Sequence, residues 1–448
     1  MKRTIEEKLI QWAQKKERKP LLLNGARQVG KTYILKEFGK SYFPKVHYFD
    51  LEEQKHLLEP IFTESSLNPK TIIDKLSFIS GNIIDKESDF LILDEIQSIP
   101  RAITSLKYFR QDMGKLAVAA AGSNLGVIHG KESFPVGKIE SLYLYPMNFE
   151  EFLGGINEKM ALDFLKEFRG ETIDPVYHTH LFELLKVYFI TGGLPEVILE
   201  YAKEKETPLL AFRNVRRMQN ELLLNYRNDF GKYPGNANAR HIERIFTSVP
   251  AQLSRMQDGT SKKFKFKDVI SKGYRSYEDL ADPICWLEKA GLVMKVNICE
   301  HPAIPVNGNT MENFFKLFLF DVGILGAMVK IPPETIIQYN YGTYKGYFAE
   351  NFILQELVSY GFTDIATWIG RTSEIEFILQ AGNTLVPIEV KAGINTKAKS
   401  LAAYISKYHP EMSYKFTGNR YGIDQRNRIV NYPLYMVSKL LDPVRFSQ

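Results

Sequence analysis

Cysteine is nearly absent from this chain of 448 residues, which carries only Cys285 and Cys299. Two thiols so spaced make neither a disulfide framework nor a metal-ligand pattern, which excludes a small secreted scaffold and predicts a reducing, intracellular compartment. Histidine is sparse as well, at eight residues; His178 and His180 are the only close pair, with no third ligand near them in sequence. No run approaches the ~20 continuous apolar residues of a membrane span, and Met1 to Glu7 carries no apolar signal core. A cytoplasmic protein without a membrane partner is the expectation. Neither sign of charge dominates: 58 basic and 52 acidic residues leave +6, which permits a polyanionic partner and requires one only if the charge is clustered. The chain is too long for a single core at 44% apolar content, so two to four domains are expected.

Against that background one stretch is specific. Gly25-Ala26-Arg27-Gln28-Val29-Gly30-Lys31-Thr32 is a complete G-x-x-x-x-G-K-[ST] phosphate-binding loop. Pro20 to Asn24 before it reads as a buried parallel strand, and Thr32 to Phe38 after it reads as a helix opening. The two glycines let successive N–H groups and the positive helix end face a nucleotide's phosphates. Lys31 is expected to neutralise β/γ-phosphate charge, and the Thr32 hydroxyl to ligate Mg²⁺.

Further strands place the rest of that site. Val46 to Leu51 reads as a second strand, and Asp89 to Glu95 as a third, apolar until it ends in Asp94 and Glu95. Ligands of open parallel sheets sit at the carboxyl ends of strands, so Asp94 is expected in the Mg²⁺ shell and Glu95 as the residue that polarises an attacking water. A fourth strand, Leu116 to Ala121, runs into Ser123 and Asn124, either of which can sense the γ-phosphate and orient the water; an ordinary turn ends the same way. Ile139 to Leu144 alternates as a fifth strand.

Gly25 to Thr32 with Arg27-Gln28, Leu93 to Gln97, Pro135 to Lys138, Pro146 to Leu153 and Gly192-Gly193-Leu194-Pro195-Glu196 together resemble the bacterial and archaeal AAA-type ATPases that carry a C-terminal domain of unknown function similar to restriction endonucleases. The resemblance implies an α/β P-loop core that prefers ATP, a small helical domain holding the Gly-Gly-x-Pro turn, and a homo-oligomer in which an arginine completes a neighbour's site. Gly137-Lys138 stands where the family shows Gly-Arg, and lysine is a point charge rather than a planar fork, so Arg101 and Arg110 become alternative candidates for that arginine.

Residues 213–310 read as helices followed by a strand at Leu292 to Ile298, a succession that suggests a winged helix. Within it Lys262-Lys263-Phe264-Lys265-Phe266-Lys267 interleaves cations and aromatics. Two readings stand: the lysines track the phosphates of DNA, or they are the solvated face of a strand whose phenylalanines enter the core.

The last third carries a second constellation. A helix around Tyr347 to Leu357 holds Glu350; strand-like runs follow at Ile365 to Ile369, Glu374 to Leu379 and Leu385 to Lys391, then a helix from about Lys397 to Tyr408 and a strand at Ser413 to Thr417. Period-two alternation puts Glu374 with Glu376, and Glu389 with Lys391, on common faces. The pattern resembles a PD-(D/E)xK nuclease site, which implies Glu350, Glu376 and Glu389 as metal ligands and Lys391 as the residue assisting nucleophile or phosphate. The expected organisation is an ATPase core at 1–153, a small helical domain at 154–212, a winged-helix-like region at 213–310 and a restriction-endonuclease-like α/β domain at 311–448.

Overall fold

The computed structural model describes residues 1–63, 66–123, 135–231, 236–270, 277–393 and 399–441. The chain divides into two compact units, Met1–Tyr145 with Lys289–Gly291, and Pro146–Glu288 with Leu292–Gln448. Apart from Lys289–Gly291, the segments expected at 154–212, 213–310 and 311–448 all fall within the second unit, and a single helix, Pro208–Phe230, runs through the expected boundary at 212–213.

In the first unit, β1 (Leu21–Asn24), β2 (Val46–Asp50), β3 (Phe90–Asp94), β4 (Ala117–Ala121) and β5 (Glu140–Tyr143) form one sheet in the order β2-β3-β4-β1-β5. Every neighbouring pair is parallel. Burial explains the sequence: β3 and β4 are covered on both faces and read as unbroken apolar runs, whereas β2 at the edge alternates. Insertion of β4 between β1 and β3 brings three strand ends side by side, and the loop after β1, the acids after β3 and Ser123 after β4 therefore meet.

The second unit begins with helices at Phe149–Gly155, Lys159–Glu167, Pro175–Thr191 and Pro195–Lys203. The Gly-Gly-x-Pro turn lies between the last two, and its geometry accounts for its residues. Gly192 has φ +69°, and a Cβ there would lie 2.1 Å from the Asp321 carboxylate. Asp321 is fully buried, caps the helix Val322–Met328 through Ile324 N–H at 2.9 Å, and accepts from Gly193 N–H at 2.6 Å. Burial raises its carboxyl to about 6, while the backbone donors oppose that rise.

An eight-stranded mixed sheet completes this unit: β6 (Val293–Cys299), β7 (Thr310–Leu319), β8 (Ile365–Ile369), β9 (Glu374–Ala381), β10 (Thr384–Lys391), β11 (Ser413–Thr417), β12 (Gly422–Asp424) and β13 (Ile429–Pro433), in the order β12-β13-β11-β10-β9-β8-β6-β7. The expected helix–three strands–helix–strand order is present, with helices at Tyr344–Ser359 and Lys399–Tyr408. β6, read from the sequence as the strand of a winged helix, is instead hydrogen-bonded to β7 and β8 inside this sheet. Residues 262–267 form no strand either. Phe264 is buried and stacks on Phe315 at 5.4 Å, held by a Phe264 N–H bond to the Phe315 carbonyl, and Phe266 opens a short 3₁₀ turn, Phe266–Asp268. No helix among the described residues is long and apolar enough to cross a membrane.

Candidate functional sites

The loop after β1 has the backbone its motif requires. Gly25 has φ +149°, and a Cβ on it would lie 2.3 Å from the Leu144 carbonyl oxygen. Gln28, a non-glycine, is held at φ 68°, and Glu95 at φ 46°; each costs on the order of 1 kcal/mol or more and persists only where its surroundings enforce it. Both strained residues lie at one site.

Lys31 opens the helix Lys31–Tyr42 and is only 6% exposed. Its ammonium donates to the carbonyls of Gly25 at 3.0 Å and Ala26 at 2.7 Å. Burial pushes it down to about 8, while Glu95 and Asp94 push it back up. A buried ammonium whose partners are neutral carbonyls is a cation short of an anion. Beside it, Thr32 Oγ1 donates to Asp94 Oδ2 at 2.5 Å, and Tyr48 Oη donates to the same oxygen at 3.2 Å. A hydroxyl and a carboxylate in contact are the hard oxygen donors that Mg²⁺ selects, so these residues fit that ion.

Glu95 is buried enough for its carboxyl to be raised, against the Gln97 hydrogen bond and the charge of Lys31. Gln97 Nε2 donates to Glu95 Oε2. Ser123 is buried and receives Arg27 Nε at 3.4 Å. Asn124 lies outside the described residues. The structure thus brings Lys31, Thr32, Asp94, Glu95, Arg27 and Ser123 to one place.

The second constellation forms at β9 and β10, with Glu376 and Glu389 buried and Lys391 partly exposed. Lys391 Nζ lies 2.9 Å from both Glu376 Oε1 and Glu389 Oε1, and Val390 N–H donates to Glu376 Oε2 at 3.0 Å. Glu389 is 1% exposed, and its Oε2 has no hydrogen-bond partner. Burial and the neighbouring Glu376 charge raise its carboxyl to about 7. Burial alone would lower the Lys391 ammonium, but Glu376 and Glu389 outweigh it and hold it above its ordinary value. Glu350 pairs differently, 3.9 Å from Lys316 Nζ, and burial raises its carboxyl to about 8. Lys316 also bonds Glu374. Among the described residues no three His, Cys, Asp or Glu side chains stand ready to hold a metal ion; the orphaned Glu389 oxygen is nevertheless an oxygen donor of the kind a divalent cation takes.

Lys316 is the residue that sequence reading missed. A lone lysine inside Phe314-Phe315-Lys316-Leu317-Phe318-Leu319 was its signal, because a charge in an otherwise buried strand must find counter-charges. His178, by contrast, is committed to hydrogen bonds with Tyr435 Oη at 2.8 Å and the Gly418 carbonyl at 3.1 Å.

A third feature is basic. An open cleft of about 370 Å³ is lined by Arg244, Thr247, Ser248, Lys267, Asp268 and Val269. Asp268 there is paired with Arg255 at 2.9 Å. Of the run at 262–267, Lys267 alone lines this cleft.

Residues 17–153 match an AAA domain family, residues 182–335 a domain of unknown function (DUF8612) and residues 345–435 another domain of unknown function (DUF4143). No curated protein matches the chain. Among solved structures, the Walker-type ATPase PABY2304 of Pyrococcus abyssi is similar at 15% identity and TM-score 0.45, over 72% of this chain and 94% of its own. A variant of Thermotoga maritima RuvB is similar at 14% identity and TM-score 0.33, over 65% and 88%. Drosophila ORC bound to DNA is similar at 15% identity and TM-score 0.30, over 75% and 95%. At such TM-scores these likenesses set no expectation for substrate or partner. The AAA match coincides with the five-stranded parallel sheet and the phosphate loop, and the stretch 17–153 is an AAA-type P-loop ATPase domain.

Proposed function

We propose that the protein hydrolyses ATP in its first unit and uses the cycle to control a restriction-endonuclease-like second unit that acts on, or binds, DNA in the cytoplasm. The observation that carries the first half is the meeting of Lys31, Thr32, Asp94 and Glu95 at the ends of β1 and β3, on either side of β4. The backbone N–H groups of Gly25 to Thr32 bind the phosphates, and Lys31 exchanges its two carbonyl partners for phosphate oxygens. Thr32 and Asp94 would hold Mg²⁺, which when bound neutralises charge on the β- and γ-phosphates. Glu95, its carboxyl raised by burial, orients the water and takes its proton. Ser123 would sense the γ-phosphate and orient that water. A homo-oligomer is part of this reading.

Support for the second half is the Glu376–Lys391–Glu389 group with its unpartnered Glu389 oxygen, in a segment with the expected order of helices and strands along the chain. Glu389, with Glu376 and Glu350, would hold a divalent ion that activates water for phosphodiester cleavage. Lys262, Lys263, Lys265 and Lys267 would track the DNA backbone. A specific observation favours a second reading: both lysines of the pocket already neutralise carboxylates, as a silent, protein-binding descendant of such a site would. In that case the chain is a nucleotide-dependent switch or assembly ATPase.

Incubation of plasmid and single-stranded DNA with pure protein in Mg²⁺ or Mn²⁺, with and without ATP, decides between them. Cleavage that disappears in Glu389→Ala establishes the nuclease; ATP turnover without cleavage in either protein establishes the switch.

A further inference from the structure

Phosphoryl transfer spreads negative charge over the γ-phosphoryl oxygens, and a second cation beside the loop lysine raises its rate greatly. Of the residues considered for that role from a neighbouring subunit, two have contacts within their own chain. Lys138 is exposed, Arg101 donates to the Thr63 carbonyl at 3.3 Å, and Arg110 pairs with Glu17 at 3.1 Å.

Arg27 stands inside the site. It is the third residue of the phosphate loop, yet its side chain turns to Ser123 after β4, with Nε 3.4 Å from Ser123 Oγ and Nη2 3.8 Å from Glu52 Oε2. The strand order decides what that direction means. β4 lies between β1, which carries the loop, and β3, which carries Glu95. A side chain that starts on the loop and reaches the end of β4 therefore ends between the loop that carries Lys31 and the strand that leads to Glu95. Its charge is felt at both residues, lowering the Lys31 ammonium and the Glu95 carboxyl. Glu52 is half-exposed, and an ion pair at 3.8 Å to such a carboxylate holds an arginine weakly.

We propose that Arg27 is the catalytic arginine of its own subunit, moving from Ser123 and Glu52 onto the γ-phosphate oxygens and so supplying in cis the charge that a neighbour's arginine would otherwise supply in trans. The proposal rests on the ATPase reading above and names the residue that reading leaves open. In the step it serves, a water oxygen bonds to the γ-phosphorus and the bond from that phosphorus to the bridging oxygen breaks, its electron pair leaving with ADP. The water's proton passes to Glu95 and from there to the phosphate product or solvent. Arg27 takes no proton; its planar fork matches two oxygens of the flattened phosphoryl group, which lysine cannot do.

The test uses the full chain. Steady-state ATP turnover and binding of a fluorescent ATP analogue are measured for wild type, Arg27→Ala, Arg27→Lys and Lys31→Ala, at several protein concentrations and in mixtures. We expect Arg27→Ala to bind the analogue within about threefold of wild type while kcat falls by at least ~10²-fold, since arginines in this role contribute 10³–10⁵. Arg27→Lys should recover only a small part. Wild-type kcat should not depend on protein concentration, and adding Lys31→Ala chains, whose arginines are intact, should not rescue Arg27→Ala. As a second readout, ADP with aluminium fluoride should form a trapped complex with wild type but not with Arg27→Ala, because the analogue needs the transition-state cation. Turnover by Arg27→Ala within threefold of wild type, rescue by Lys31→Ala chains, or normal trapping overturns the proposal while leaving the ATPase reading intact. Failure of wild type to bind ATP overturns both.

Discussion

The two units each place a lysine among carboxylates at strand ends, and the two lysines behave in opposite ways. Lys31 is buried against neutral carbonyls, and its ammonium is pushed down to about 8. Lys391 is pinched between two carboxylates and held above its ordinary value. A buried cation of the first kind is destabilised until an anion arrives, so part of the binding free energy of a phosphate is relief of that penalty. A cation of the second kind has its anions already. The first site is therefore poised for a polyphosphate, whereas the second must give up an internal ion pair before Lys391 can touch one.

That contrast is most exposed at Lys31. Lys31→Ala should weaken ATP binding by at least ~100-fold, the scale of losing a charge-assisted pair that leaves phosphate charge unanswered. Calorimetric titration with Mg-ATP checks it, and tight binding by the variant would remove the assignment. Glu95→Gln should bind ATP within a few-fold of wild type yet turn over ~10²–10⁴-fold more slowly, the range of a lost general base. Single-turnover hydrolysis reads it, and a normal rate would leave the base unidentified.

A smaller effect is structural and separates the scaffold of the second unit from its pocket. A Cβ at Gly193 would lie 2.2 Å from the Met147 carbonyl oxygen, a backbone atom with little room to yield. Gly193→Ala should cost about 2–3 kcal/mol by overpacking and by straining the Gly193 N–H bond to Asp321. Thermal unfolding measures that. An unchanged midpoint would show that the Gly-Gly turn is not held as described.

How much of this was legible in the sequence follows from the range of the forces involved. The phosphate loop and β3 are local: eight consecutive residues fix the turn and five fix the strand, so Lys31, Thr32, Asp94 and Glu95 could be placed from spacing alone. The helix–strand order around Glu350 to Lys391 was legible for the same reason. What could not be read was pairing at long range. β6 has the alternation of a strand, but nothing within it says that its partners are β7 and β8, and the nearest helices suggested a winged helix instead. Asp321 beside Gly192 and Gly193, and Lys316 beside Glu374, join residues 128 and 58 positions apart. The 262–267 run misled in a different way. Its period of two matches a strand, yet Phe264 packs on Phe315 while the chain turns into a 3₁₀ segment, since two aromatic contacts outweigh a few strand hydrogen bonds.

The pocket's carboxyls make the next test a matter of pH. Burial raises Glu389 to about 7 and Glu350 to about 8, both above the ordinary 4.5. Below pH 4.5 both are protonated whether the chain is folded or not. Between 4.5 and about 8 the unfolded chain ionises first, so unfolding releases protons and stability falls as pH rises. The loss should be several kcal/mol across that window, at ~1.4 kcal/mol for each unit by which a carboxyl is raised, and Glu389→Gln should flatten the lower part of it. If Glu389 takes a divalent ion, added Mn²⁺ should restore stability at pH 8 and not at pH 5, and in Glu389→Gln at neither. A wild-type profile that Mn²⁺ leaves untouched would place the pocket firmly on the side of the satisfied, switch-like site.

The smallest effects belong to the basic segment, and they are graded by where each lysine goes. Lys263 lies 4.6 Å over the Phe314 ring and Lys265 donates to the Thr260 carbonyl at 3.1 Å, while Lys267 shares an open cleft with Arg244. A phosphate backbone would find Lys267 and Arg244 without disturbing internal contacts. Replacing each of these two by Gln should reduce the slope of log K against log salt for duplex DNA by about 1, whereas Lys263→Gln and Lys265→Gln should change it less. Filter binding between 50 and 200 mM salt is sufficient to measure the difference. Equal slopes for all four variants would mean that the cleft does not set the path of the DNA. Binding that is insensitive to salt would mean that the lysines only solvate a surface whose aromatic neighbours hold the fold.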